Sequence, residues 1–369
     1  MTASWAQTHL PTILSRYDLR DIYNADEFGL FYQQLPTKSF HLKGERCAGG
    51  KFSKVCLTGL AAGNAAGEKL PMFVIGKAEK PRCFKGVTSL PCQYKPQRKS
   101  WMDSEIFSDY VRKLDTKFDA EDRKIVLVID NCPAHPNVDN LKAIQLVFLP
   151  PNMTSKTQPM DQGVIRALKA FYRTNVVRRQ IKYVDEGKTT PKINILQAMR
   201  MLVKSWDAIS INTVKNCFRK AGISQETQVA SINEEDDPFK LLQQNVDELK
   251  SRDLVDENLT VDDYVDIDFQ VTTSETSAMT DQEILDSILI NDLAEGEEEE
   301  TEEESSDVPP EKPKLAEVAH AIDLLERWSL FDKNGGEMRK SLSLISKRFD
   351  KHSFESKKQS QIPDFFKTS

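Results

Sequence analysis

Three aspartates stand where a folded chain could use them for chemistry. Asp26 lies inside a run of strand-forming residues, DIYNADEFGLFY. Asp130 ends a buried run, IVLVID, and is followed by the chain-turning NCPAHP. Asp161 opens a basic helical stretch, QPMDQGVIRALK. Carboxylates at the carboxyl ends of sheet strands are where α/β folds place ligands and metals. Three hard oxygen ligands without a His or Cys cluster suit Mg²⁺ or Mn²⁺ rather than zinc. Two such ions, about 3.5–4 Å apart, can activate a water or a 3′-hydroxyl and stabilise the leaving oxygen of a phosphodiester.

The elements that must position them follow from the pattern. Residues 21–32 read as a strand, then 55–60 and 70–75 as two more, parted by the turn-forming AAGNAAGEK. Short connections imply an antiparallel meander. Residues 104–118 read as a helix capped by Ser104, with Ile106, Phe107, Tyr110, Val111 and Leu114 on one face. Residues 124–129 and 144–149 are buried strands, with a short helix starting over 138–141. Residues 163–184 form a basic helix, and helices near 195–209 and 213–221 close the folded part. A meander followed by strand–helix alternation gives a mixed α/β sheet with flanking helices.

Charge divides the 369-residue chain. Residues 1–222 hold 35 Lys+Arg and 20 Asp+Glu, a net +15. Residues 223–310 hold 3 and 28, a net −25. The remainder holds 12 and 9, a net +3. A basic front implies a polyanion-binding domain. The acidic stretch, with eight Glu among residues 295–304, reads as a disordered linker because it cannot bury enough apolar surface. Boundaries are set at 1–20, a remnant of a preceding region; 21–222, the folded domain; 223–313, the linker; 314–352, an amphipathic helical pair; and 353–369, a tail. The pair reads as a hairpin or an element for homodimerisation. Six cysteines, at 47, 56, 83, 92, 132 and 217, form no C-x₂₋₄-C pair. That spacing speaks against structural zinc and against a secreted disulfide framework. No apolar run has the length of a signal peptide or a membrane span, so the chain reads as soluble and intracellular, with no membrane partner.

The segments NADEFGLFY, NAAGEKLPMFVIGKAEKPRCFKG, VLVIDNCPAHP and FLPPNMTSKTQPMDQGVIRALKAFYR occur in the order seen in the pogo/Tigger transposases. Over roughly residues 15–222 the chain resembles the catalytic domain of that family, which includes the jerky proteins and centromere protein B. There are 30 residues between Asp130 and Asp161, a spacing typical of this branch. The resemblance implies a ribonuclease-H-like fold in which Asp26, Asp130 and Asp161 are the catalytic DDE/D triad and the ligands of a two-metal Mg²⁺ (or Mn²⁺) site. It implies DNA as the partner and the nucleus as the location. The implied chemistry is hydrolysis and strand transfer of DNA phosphodiesters. A domesticated, non-catalytic scaffold for DNA or protein is the alternative.

Asn131 is expected to support Asp130 by hydrogen bonding. His135, also placed just behind the carboxylates, is expected to contact phosphate or assist proton transfer, with a purely structural turn histidine as the alternative. Lys51, Lys54, Arg166, Lys169, Arg173, Arg178 and Arg179 are candidates to hold a nucleic-acid backbone. Glu27 alternates to the opposite face from Asp26 and is not assigned to metal. The family often has Thr after the Asp-Glu pair; Phe28 stands here and is expected to alter packing near Asp26. Family members usually carry two helix-turn-helix domains ahead of the catalytic one, so site-specific recognition is expected to be lost, supplied by a partner, or cut off with a truncated gene sequence.

The C-terminal KKQSQIPDFFKTS places Gln359, Ile362, Phe365 and Phe366 in the pattern Q-x-x-[ILM]-x-x-[FY]-[FY]. This resembles the PIP box that docks on the sliding clamp PCNA. A single 3₁₀ turn would gather Ile362, Phe365 and Phe366 on one face.

Overall fold

The computed structural model describes residues 11–36, 55–150, 157–223, 237–269, 271–274, 309–332 and 335–356. Two compact units separate at Pro309/Pro310. The first is built on one six-stranded sheet: β1 (Ile22–Phe31), β2 (Cys56–Asn64), β3 (Phe73–Gly76), β4 (Gln93–Pro96), β5 (Ile125–Ile129) and β6 (Ile144–Phe148). Their spatial order is β4-β3-β2-β1-β5-β6. β1, β2 and β3 are the expected antiparallel meander, although 24 residues part β1 from β2, and β5 and β6 extend the sheet parallel to β1. A central β1 flanked by a meander on one side and parallel strands on the other is the ribonuclease-H-like arrangement. β4, which pairs parallel to β3 at the edge, was not legible: QYKP has no apolar run.

Alternation along β1 divides the core into two layers. Ile22, Phe28 and Leu30 face one cluster, which includes Met160, Val164, Leu168 and Trp206. Tyr23 and Ala25 face the other, with Phe107, Tyr110, Val111 and Phe118 of α1 (Ser104–Ala120). Asp103, not Ser104, caps α1: its side chain accepts from the Ile106 N–H at 2.9 Å. Phe28 is buried directly opposite Gly59, where a Cβ would collide with its ring, so the bulk at position 28 is accommodated by a missing side chain across the ladder.

A five-residue π-helical turn, Met160–Val164, leads into α2 (Ile165–Asp185). Gly163 inside it has φ of 140°, a backbone that side chains rarely tolerate. α3 (Ile195–Ala208) and α4 (Ile211–Lys220) complete this layer.

Three expectations need correction. Residues 138–141 are turns, not a helix. Asn140 takes φ of 62°, and the Lys142, Ala143 and Ile144 N–H groups donate to the Asp115 carboxylate, which starts β6 instead. Residues 11–20 are not a mere remnant, since Ile13 is buried in the main core. Part of the segment expected to be acidic linker, from residue 238, is folded. α5 (Pro238–Ser251) and α6 (Val261–Val265) pack against α2 through Leu242, Val246, Leu249, Tyr264 and Val265. The chain then runs as a strap: Val271 lies on Gly29, Thr273 O accepts from Met102 N, and the Ser274 hydroxyl meets the Cys132 thiol at 3.1 Å.

The second unit contains α7 (Leu315–Trp328) and α8 (Gly335–Ser356), the expected helical pair. Ile322 and Leu342 are buried, while Leu324, Trp328, Leu330, Phe331 and Leu344 are exposed.

Candidate active site

β1 and β5 pair only over Ile22↔Val126, Tyr23↔Leu127 and Asn24↔Val128. Asp26 lies on β1 two residues past the last rung, and Asp130 follows the last residue of β5. Asp161 belongs to the π-helical turn, on the Asp26 side of the sheet. Asp26 and Asp161 are hydrogen-bonded to each other. Burial first, then the charges of Asp161, Glu27 and Asp130, push the Asp26 carboxyl well above the usual carboxylate range. Asp161 is raised too, by the partial burial of its carboxyl and by the Asp130 charge, against the hydrogen bond from Asp26, although the residue as a whole is exposed.

Asp130 also meets His135. His135 Nδ1 lies 2.6 Å from Asp130 Oδ1 and 3.4 Å from the Asp130 carbonyl. The short contact is an ion pair rather than an aligned hydrogen bond, so Oδ1 is buried without an aligned donor. Nε2 of the same ring lies 3.1 Å from Glu27 Oε1. The side chains of His135 and Glu27 are 2% and 4% exposed, and the imidazole packs on Phe107 at 4.4 Å between ring centroids. Burial opposes a charge on His135, but Glu27 and then Asp130 outweigh it and push its pKa up to about 11. The ring is thus an imidazolium clamped between two carboxylates. Glu27 does alternate away from Asp26, and its partner is this imidazolium. Sequence alternation gave its face but not His135, which reaches it from beyond the end of β5.

Asn24 is a second residue that the spacing argument passed over. It is fully buried; its Nδ2 donates to Val128 O at 2.8 Å, and its Oδ1 accepts from Met160 N at 2.9 Å. A buried Asn inside an apolar strand run was the signal.

The donor chemistry suits a hard divalent cation: the Asp26 and Asp161 carboxyls lie side by side, with the Asp130 carboxylate at the end of the neighbouring strand. Even so, among the described residues no three His, Cys, Asp or Glu side chains are drawn together into a ready cage.

The basic candidates separate. Lys169 and Arg173 are buried, and both pair with buried Asp268, Arg173 at 2.6 Å. They hold the strap to α2 and have no surface to offer a phosphate. Arg166 is exposed but pairs with Asp262 and Asp266 beside α6. Exposed Arg178 contacts Asn245, and half-buried Arg179 donates to Pro191 O. Lys51 and Lys54 lie outside the described residues, as do Gln359, Ile362, Phe365 and Phe366. Asn131 has no described contact with Asp130.

The DDE superfamily endonuclease family matches residues 54–218. Tigger transposable element-derived protein 4 of Mus musculus is 33% identical over 352 residues, 92% of this chain and 66% of that protein. Tigger transposable element-derived protein 7 of Homo sapiens is 31% identical over 57% of this chain and 44% of that protein. Major centromere autoantigen B of Homo sapiens is 28% identical over 58% of this chain and 35% of that protein. The chain thus spans between about a third and two thirds of the length of these relatives. A Mos1 transposase paired-end complex with left transposon end matches over 59% of this chain and 57% of that chain, at 11% identity and a TM-score of 0.34. That score carries no weight beside the strand order. With a transposase-derived DDE-type nuclease domain on this sheet and these relatives, the chain belongs to the pogo/Tigger transposase family.

Proposed function

We propose that this chain is a divalent-metal-dependent DNA phosphodiester-cleaving domain, in which Asp26, Asp130 and Asp161 hold the metal. The observation that supports the reading is the approach of Asp26 and Asp161, 135 positions apart in sequence, at the fork of β1 and β5. Asp130 stands at the end of the neighbouring strand. Mg²⁺ or Mn²⁺, when bound, would activate a water or 3′-hydroxyl and neutralise the leaving oxygen. The chain's own part is to orient the carboxylates. Glu27 holds His135, His135 holds Asp130, and Asn24 ties the strands beneath. Nicking of supercoiled plasmid in Mn²⁺ by the parent, lost in Asp130→Ala, tests it.

A non-catalytic scaffold is the second reading. What favours it is that no ready metal cage exists among the described residues. Retained DNA binding without nicking in either protein would support it. In both readings the partner is DNA and the location is the nucleus, in keeping with the transposase-derived and centromere relatives. The tail would contact the sliding clamp through Gln359, Ile362, Phe365 and Phe366, and the α7–α8 pair would serve a homodimer.

A further inference from the structure

Three elements carry the three carboxylates, and one side chain touches all three elements. Asn24 belongs to β1, two residues before Asp26. Its Nδ2 donates to Val128 O, two residues before Asp130. Its Oδ1 accepts from Met160 N, one residue before Asp161. Each bond therefore lands within two residues of a carboxylate.

The position along the sheet adds to this. Asn24↔Val128 is the last rung of the parallel β1–β5 pairing. Beyond it the strands share no ladder, and the carboxylates begin. The Met160 N–H lies at the start of the π-helical turn, where a helical donor has no acceptor of its own. Its partner comes from the sheet. Asn24 is fully buried, so both bonds run without competition from water.

An amide alone fits this place. It must donate on one side and accept on the other. Aspartate could not donate to Val128 O, and Ser or Thr is too short to span both at the same backbone spacing. Leucine has nearly the same shape but neither function.

We propose that Asn24 is a positioning residue for the reaction: it fixes the separation of Asp26, Asp130 and Asp161 by bracing their backbones, without touching metal or substrate. The proposal rests on the metal-binding reading of the three aspartates. Outer partners of metal ligands typically change affinity by about 10–100-fold when removed. The expected effect of Asn24→Leu is a loss in that range for Mn²⁺, beyond any effect on folding.

The test is Mn²⁺ titration of the full chain, followed by calorimetry or by the electron-paramagnetic-resonance signal of the free ion. Parent, Asn24→Leu, Asn24→Ala, Asp115→Ala and Asp130→Asn are compared at a temperature where circular dichroism shows each folded. Asp115→Ala is the structural control: it removes a buried brace from the opposite end of β5, where Asp115 holds the N–H groups of Ala143 and Ile144. At least about 10-fold weaker Mn²⁺ binding in both Asn24 variants, with parent-like binding in Asp115→Ala, supports the proposal. Parent-like binding in the Asn24 variants, with loss in Asp130→Asn, overturns the brace and leaves the metal site standing. Equal weakening in Asp115→Ala also overturns it, since any destabilisation would then suffice. Failure of the parent itself to bind Mn²⁺ above the Asp130→Asn level overturns the metal-site reading, and the brace with it.

Discussion

At the scale of single residues, the site is a problem of negative charge. Asp26, Asp130, Asp161 and Glu27 crowd one strand end, and each solves its repulsion differently. Asp26 and Asp161 lie against each other, and the Asp26 carboxyl is pushed well above the usual carboxylate range. Asp130 and Glu27 share the His135 imidazolium. The carboxylates were legible because each breaks an apolar or helical pattern. The clamp was not, because Glu27 and His135 are 108 residues apart and meet only when β1 lies beside β5. His135 has its folded pKa raised, so its contribution to stability is complete below the ordinary imidazole value of about 6.5. That contribution fades only as pH climbs towards about 11. Removing the Glu27 charge should lower the His135 pKa. Histidine ring resonances of the parent in chelator should show one imidazole that does not titrate between about pH 5 and 9. In Glu27→Gln that imidazole should move into the window. Unchanged titration of all five histidines would contradict the clamp.

At the scale of elements, the sheet was readable because its strands are apolar runs stopped by Pro, Gly or Asp. IVLVI ends on Asp130, and IQLVF is followed by Leu149 and two prolines. The helices after residue 237 were hidden by composition. Leu242, Val246 and Leu249 form a helical stripe, but they sit in a segment whose net charge of −25 reads as a solvated linker. Charge sign alone likewise made Lys169 and Arg173 look like surface cations. Their partner, Asp268, lies in the segment taken to be disordered. Asp268 accepts from Lys169, Arg173 and the Phe31 N–H, and it is fully buried. Asp268→Ala would leave a buried guanidinium uncompensated, at a cost of about 3–5 kcal/mol. Urea unfolding of parent and variant measures it. A difference below about 1 kcal/mol would mean that the strap is not part of the folded domain.

At the scale of the whole molecule, folding uses more of the chain's charge than the sequence suggests. The basic first part is partly neutralised by its own acidic continuation, through Asp262, Asp266 and Asp268. Residues 275–308 and the tail from 357 lie outside the described residues. For the tail, the four-point match predicts that Phe365→Ala with Phe366→Ala abolishes binding to purified sliding clamp in a titration. Equal affinity of parent and variant would remove the clamp from the account. The central claim concerns Asp130 and its two companions, and the most direct measurement is nicking of supercoiled plasmid in Mn²⁺ by the purified chain beside Asp130→Ala. The account predicts nicking by the parent and none by the variant, with both folded by circular dichroism. Nicking that persists unchanged in Asp130→Ala would contradict it.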